Sequence, residues 1–410
     1  MGKNTSIELI YEIASEVRKR INVMSREIDD ELVMEEIQKV IMNDSRTEYL
    51  SLQEKKGVME GAFNSLRREL DFLEKYLDDP DISEIMVNGR EDIFIEKYGK
   101  IERIPEYFPD DKALEDVIIR IGAGIHREIN EMNPILDARL ADGSRVHAVY
   151  KNIAINGPTL NIRRFPNKRI TMEELIRIGS ITEEAADFLK TLVICGYNIF
   201  LSGGTSSGKT TFLNALSDFI PSDERVIVIE DSAELQLDGI ENIVRMETKN
   251  ANIQGIGEIT MRHLIKASLR MRPDRIIVGE VRGEEVVDMV NSMNTGHDGS
   301  LCTGHANSAE GMLSRLETMF LTAASFPIDA IRSQIASAID IIVHMGRMRD
   351  KSRKILEITE VECYREGRIV LNPLFTYQIR EENGVKKASL QKTGNPLVNT
   401  VRMELKGGMV

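Results

Sequence analysis

Apolar residues recur at steps of three and four along the start of the chain: Ile10, Ile13, Val17, Ile21, Met24 and Ile28. That spacing lays one apolar stripe along an amphipathic helix. Phe63, Leu66, Leu70, Leu73 and Leu77 repeat it, so residues 7–77 are expected to be helical throughout, interrupted at the polar run Asn43-Asp44-Ser45-Arg46-Thr47. Segment 1–77 reads as a small helical bundle packed on the rest of the chain, as a docking module for a membrane partner, or as both.

The period changes after the turn cluster Asp78-Asp79-Pro80-Asp81. Ile85–Asn88 and Ile93–Glu96 have the length and composition of strands joined through Gly89. Lys112–Arg127 carries a helical stripe of Leu114, Val117, Ile118 and Ile121, and Arg145–Val149 and Thr159–Arg163 read as further strands. Residues 78–165 are therefore expected to form an α+β domain. Phe165-Pro166-Asn167-Lys168 opens a linker, 166–179, because proline biases its neighbour toward extended backbone.

From about residue 180 to 345 short apolar strands (Asn198–Leu201, Val226–Ile229, Ile276–Val278, Ser300–Thr303) alternate with helical stretches at 210–220, 260–272, 284–294 and 308–320. Such alternation predicts a mostly parallel sheet. Ile355–Val361 and Ile369–Leu371 suggest a closing hairpin, which puts this domain at 180–377. The polar, glycine-containing remainder, 378–410, is expected to be loosely held.

Composition narrows the function. Lysine and arginine number 53 against 66 acids, a net charge of −13, which disfavours a general nucleic-acid binder. Cys195, Cys302 and Cys363 are scattered and odd in number, as in a reducing compartment rather than a disulfide framework. No apolar run approaches the ~18 residues of a membrane span, and no signal peptide is expected.

The strongest chemical signal is Gly203-Gly204-Thr205-Ser206-Ser207-Gly208-Lys209-Thr210, with Thr211 next, placed between an apolar run and a helical stripe of Phe212, Leu213, Leu216 and Ile220. This is the phosphate-binding loop pattern GxxxxGK[ST]. Glycines let backbone N–H groups curl around phosphate oxygens, and the helix that follows points its positive end at them. Lys209 then reaches the outer phosphates of ATP, and the Thr210 hydroxyl holds Mg²⁺. Hydrolysis also needs carboxylates at neighbouring strand ends. Val226–Ile229 runs into Glu230 and Asp231, with Glu234 beyond, and Ile276–Val278 runs into Gly279 and Glu280.

Glu230-Asp231-Ser232-Ala233-Glu234-Leu235 resembles the Asp box of the type II/IV secretion ATPases. Arg270–Arg282, with Val278-Gly279-Glu280, is similar to their Walker B, which ends in glutamate. Thr295-Gly296-His297 through Thr303-Gly304-His305 resembles their His box, and Asp142–Val146 and Asn161–Phe165 resemble their N-terminal domain. The resemblance covers residues 78–345. It implies a RecA-like α/β P-loop NTPase domain with a smaller α+β N-terminal domain and an N-terminal helical segment.

The resemblance also implies roles. Glu230 positions the attacking water as general base, Glu280 orders water on Mg²⁺, His305 senses the γ-phosphate and His297 supports it; which glutamate takes the proton stays open. Arg145 and Arg163, with Arg139 behind them, are the candidate arginines for the transition state, in cis or in trans. Absence of a four-cysteine module after the His box favours the CpaF-like branch. His297, Cys302 and His305 have zinc-compatible chemistry but lack a nearby fourth ligand. The implied protein is a homo-hexameric ATP hydrolase with ATP and Mg²⁺ as cofactors. It would power pilus assembly or protein secretion from the cytoplasmic face of a bacterial or archaeal membrane, against an inner-membrane platform protein and without nucleic acid. A nucleic-acid motor and a nucleotide-gated scaffold are the competing readings.

Overall fold

The computed structural model describes residues 3–22, 28–125, 127–164, 169–237, 239–249, 251, 256–382 and 385–406. Met24 and the linker residues Phe165–Lys168 therefore lie outside the described residues. The chain divides into two compact units, Met1–Asn167 and Lys168–Val410.

In the first unit, α1 (Lys3–Ile21), α2 (Asp30–Asn43) and α3 (Leu52–Arg67) pack their apolar stripes into one core around Ile13, Val17, Ile37, Val40, Val58 and Ala62. Asp29 caps α2 by accepting from the Leu32 amide, and Ser51 and Glu54 form a reciprocal box at the start of α3. The expected continuous helix to residue 77 breaks at Arg68, whose ψ of 138° is extended. A short 3₁₀ turn at Asp71–Leu73 and then α4 (Glu74–Leu77) follow. Asp71 takes φ 58° and accepts from the Tyr11 hydroxyl at 3.0 Å. Leu70 and Leu73 kept helical spacing across that break, yet they belong to the next core rather than to the bundle.

That core is one face of a six-stranded antiparallel sheet with order β3-β2-β1-β6-β5-β4. Its strands are β1 (Ile82–Asn88), β2 (Ile93–Lys97), β3 (Lys100–Arg103), β4 (Ile135–Arg139), β5 (Arg145–Val149) and β6 (Thr159–Arg163). Helix α5 (Asp111–Gly124) covers this face with Leu114, Val117, Ile118 and Ile121, against Ile85, Val87, Val146, Ala148, Leu160 and Ile162. The two edge strands β3 and β4 escaped sequence reading: Lys100–Arg103 is exposed along its whole length and has no apolar alternation to find.

The second unit is built on a nine-stranded sheet, order β15-β14-β13-β12-β7-β11-β10-β8-β9. The strands β7 (Ile199–Gly203), β8 (Val226–Glu230), β9 (Ile243–Glu247), β10 (Arg275–Val281), β11 (Leu301–Gly304) and β12 (Ile341–Arg347) run parallel. Helices lie on both faces: α6 (Met172–Arg177), α7 (Glu183–Cys195) and α8 (Lys209–Ser217), then α9 (Met261–Ser268), α10 (Val286–Met293), α11 (Ala309–Ala323) and α12 (Ile328–Ala338). β7 is buried on both sides: Ile199 and Leu201 join one core with Leu189, Phe212 and Leu216, while Phe200 joins the other with Val290, Leu316 and Phe320. A doubly covered parallel strand reads as a continuous apolar run, as this one does. α6, capped by the Thr171 side chain, lies inside the stretch expected to be linker.

The tail is a correction. β13 (Arg353–Arg365), β14 (Arg368–Glu382) and β15 (Val385–Lys392) extend the sheet in antiparallel fashion, well past residue 377. Beyond them, the Val398 and Asn399 amides donate to buried Glu360, the Tyr197 hydroxyl donates to Asn399 O at 2.6 Å, and α13 (Val401–Leu405) brings Arg402 to Asp298 and Asp340. Ile355, Ile358 and Val361 of β13, the part legible in sequence, reach the cores, whereas among the described side chains β14 and β15 send in Leu374, Phe375 and Leu390, too few to mark the rest.

Candidate functional site

β7 delivers the chain to the carboxyl edge of the parallel strands, and α8 begins six residues later at Lys209. The turn between them is tight. A Cβ on Gly203 would lie 2.5 Å from Ser207 Oγ and 2.7 Å from Met345 O, so only glycine fits. Ser206 and Gly208 take φ of 59° and 94°, the left-handed turns that aim successive N–H groups into one concavity. Gly204, Thr205 and Ser206 are exposed on its rim, and Thr210 and Thr211 occupy the first turn of α8.

Lys209 crosses this loop from below. Its Nζ donates to Gly203 O and Gly204 O, both at 3.1 Å, and lies 3.4 Å from His305 Nδ1. Burial lowers its ammonium pKa; Glu280 opposes that shift and Arg282 adds to it. His305 follows β11, whose Gly304 pairs with Ser202 of β7. The ring bridges outward: His305 Nε2 lies 2.6 Å from Glu280 Oε1. Burial and the Lys209 charge hold the imidazole below its usual pKa. The neutral ring can accept at Nδ1 from the Lys209 ammonium, while Nε2 stands beside a Glu280 Oε1 that has no hydrogen-bond partner among the described residues.

Glu280, near the end of β10, has its other oxygen occupied. Arg282 donates to Oε2 from Nε at 2.9 Å and from Nη2 at 2.6 Å, and its Nη1 approaches Asp231 at 3.6 Å. Glu230 ends β8, the next strand, and is only 3% exposed. Its Oε1 accepts from the Glu234 and Leu235 amides at 2.8 and 2.9 Å. Burial pushes its carboxyl up to about 7 despite those bonds. Beside it Gly279 keeps β10 close, since a Cβ there would meet Glu230 Cγ at 3.0 Å.

Lys209, His305, Glu280, Arg282 and Asp231 thus form one continuous chain of polar contacts across β7, β11, β10 and β8, with Glu230 alongside. The donor set suits a nucleotide phosphate and its cation. A cradle of backbone N–H groups opens a helix, a hydroxyl at Thr210 and carboxylates at Glu280 and Asp231 stand by, and buried Ser207 Oγ has no partner among the described residues.

His297 is placed elsewhere. It precedes β11, whereas His305 follows it, so the strand separates the two rings. His297 Nδ1 sits 3.1 Å from Ser292 O at the end of α10. Its loop is fixed on that edge by Arg275, which donates to Gly299 O at 3.2 Å, and by the Arg402–Asp298 pair at 2.6 Å. His297 thus stands at the opposite end of β11 from His305, and among the described residues no group that could hold a metal joins His297, Cys302 and His305; Cys302 is buried within the strand.

Arg139, Arg145 and Arg163 belong to the first unit, where strand register aligns them. Arg139 pairs with Arg145, Arg145 with Arg163, and Arg163 with Glu84. Their neighbours Val146 and Ile162 point into the core, so the row lies on the face away from α5, with Arg145 and Arg163 exposed. Two contributors had no assigned role from sequence. Arg282 lies inside the Walker B resemblance, which implies no role for it; Arg353, which donates to Ser206 O, lies in no motif.

Residues 67–395 match the sequence profile of a family described as type II/IV secretion system protein. The conjugal transfer protein TrbB of Rhizobium radiobacter is 33% identical over 295 residues, covering 71% of this chain and 87% of that protein. The type IV secretion system protein VirB11 of Brucella suis is 31% identical over 312 residues, covering 68% and 85%. Among solved structures, the pilus retraction motor PilT with bound ADP superposes with a TM-score of 0.52 at 16% identity, covering 82% of this chain and 86% of that one.

Proposed function

The chain belongs to the type II/IV secretion ATPase family, and from that premise we propose that it hydrolyses ATP as the motor subunit of a pilus-assembly or protein-secretion machine of the CpaF-like kind. One observation carries the reading: Lys209, His305 and Glu280 meet in a row at the carboxyl edge of the parallel strands, directly behind the phosphate loop. The loop amides and Lys209 hold the β- and γ-phosphates, and His305, touching both Lys209 and Glu280, registers the γ-phosphate. Thr210 and, through water, Glu280 would hold Mg²⁺, which would supply charge neutralisation on the phosphates. Glu230, whose carboxyl sits near neutrality, is suited to take a proton from the attacking water.

The row Arg139–Arg145–Arg163 supplies the positive charge that the transition state needs, in cis or in trans. A closed homo-hexameric ring lets one subunit's closure move its neighbour. The division into helical segment 1–77, α+β domain 78–165 and ATPase domain from about 180 assigns attachment, arginine delivery and catalysis to different parts. No helix among the described residues is long and apolar enough to cross a membrane. The expected setting is the cytoplasmic face of the inner membrane, in peripheral contact with a platform protein.

The conjugal transfer relative makes a nucleic-acid motor the reading to test against. Turnover is measured with single-stranded DNA, and separately with anionic vesicles or a membrane partner. The proposal expects DNA to leave the rate unchanged and the membrane components to raise it. A several-fold, salt-sensitive rise with DNA would replace it by the nucleic-acid reading.

A further inference from the structure

Arg353 opens β13 at the edge of the sheet where the phosphate loop turns. β13 runs antiparallel to β12, pairing Arg353 with Arg347, and β12 pairs Met345 with Gly203 of the loop. Arg353 Nε donates to Ser206 O at 3.1 Å. Ser206 is a residue with a side chain held at φ 59°, a conformation that persists only when the surroundings fix it. The same side chain runs on past Gly208, where a Cβ would meet Arg353 Cδ at 3.1 Å. Arg353 is exposed, so this contact is not a by-product of core burial. Among the described residues, no acceptor engages its two Nη groups.

The backbone of the same strand end grips a second segment. Ser180 Oγ donates to Arg353 O at 2.8 Å, and the Ile355 amide donates to Ser180 O at 2.9 Å. Lys354 Nζ donates to Ile178 O at 3.3 Å and to Gly179 O at 2.5 Å. Residues 178–180 lie where the chain, having left the first unit, enters the second. Three consecutive residues therefore hold the phosphate loop on one side and the entry segment on the other.

We propose that Arg353 is a positioning residue of the phosphate loop, and that residues 353–355 transmit a change in that loop on nucleotide binding to residues 178–180. Phosphate charge arriving in the cradle pulls on a guanidinium already bonded to the loop carbonyl. A shift of that side chain moves the strand end that Ser180 clasps. This rests on the nucleotide reading of the loop.

The test is amide hydrogen exchange on the full chain with and without Mg·ADP, for the parent, Arg353→Ala, Arg353→Lys and Ser180→Ala, together with steady-state kinetics. In the parent, ADP should slow exchange both at residues 204–210 and at residues 178–181 and 355. Arg353→Ala at saturating ADP should keep the first protection and lose the second. Its KM should rise about tenfold, the worth of one charge-assisted hydrogen bond, with kcat changed less than roughly twofold; Arg353→Lys should recover part of the KM. Ser180→Ala, remote from the phosphates, should weaken only the protection at 178–181. Arg353→Ala with parental KM and intact protection at 178–181 overturns the proposal. Absence of ADP protection at 204–210 in the parent overturns the nucleotide reading itself.

Discussion

His305 Nε2 stands 2.6 Å from Glu280 Oε1 while its Nδ1 faces Lys209 Nζ at 3.4 Å, so one imidazole joins the phosphate loop to the carboxylate two strands away. Residues linked this way act as a unit. His305→Ala and Glu280→Gln should each retain nucleotide binding and lower kcat by on the order of a hundredfold. Combining them should cost little more than the worse single change. Multiplicative losses in a double-mutant cycle would show that the two act separately.

Lys209→Ala should abolish turnover. The lysine is the main positive charge on the outer phosphates, and its loss should lower kcat by at least about a hundredfold. The fold should survive, because Lys209 is a buried ammonium already disfavoured by desolvation and its bonds go to two loop carbonyls. Circular dichroism should match the parent. A kcat within threefold of the parent, on the order of unity, would remove the residue from the mechanism.

Glu230 gives a pH dependence whose sign can be worked out. Its folded value, about 7, lies above the unfolded 4.5 because burial disfavours the charged form. The folded state thus holds the proton more tightly. This contribution to stability is fully present below pH 4.5 and is lost as pH rises through about 7. The gap corresponds to roughly 3 kcal/mol. Urea midpoints for the parent should fall relative to those of Glu230→Gln across that window, and a difference that stays constant with pH would refute the assignment. Glu230→Gln should also bind ATP without turning it over.

Arg163→Ala tests the arginine row. It should bind ATP normally and still form rings, while turning over on the order of a thousandfold more slowly. Arg163 is exposed and pairs in register with Arg145 and Glu84, so the sheet does not depend on it. Mass photometry in ATP, beside turnover measured against protein concentration, gives the readout. A rate per subunit that stays flat while only monomers are seen would end the ring mechanism.

What could be read from the chain followed burial. β7, β8, β10 and β11 were legible because strands covered on both faces must be apolar throughout, and the phosphate loop because Gly203 is demanded by a contact of 2.5 Å and Gly208 by a φ of 94°. The acids at the ends of β8 and β10 followed from those strands. Edge strands were not legible: Lys100–Arg103 faces solvent along its whole length and needs no apolar alternation. Leu70 and Leu73 misled for the opposite reason, since a chain that breaks and turns can keep helical spacing while changing cores. His297 and His305 were linked by resemblance alone; a four-residue strand with its flanks occupies the interval between them. Arg353 was illegible because its partner, Ser206, is 147 residues away.

The clasp of residues 398–402 on Glu360, Asp298 and Asp340, in which Arg402 Nη1 also donates to Gly196 O at 3.0 Å, sets a timetable. Tyr197 meets its acceptor on Asn399 across 202 residues of chain. At the ribosome's pace of about 5–20 residues per second, that is a wait of roughly ten to forty seconds. Once Arg353 has emerged, the strands and side chain that hold the phosphate loop are all made, while the loop bearing Asp298 still lacks the arginine that fixes it. A nascent chain can thus present a phosphate cradle before residues 398–402 arrive to fasten the loop bearing Asp298.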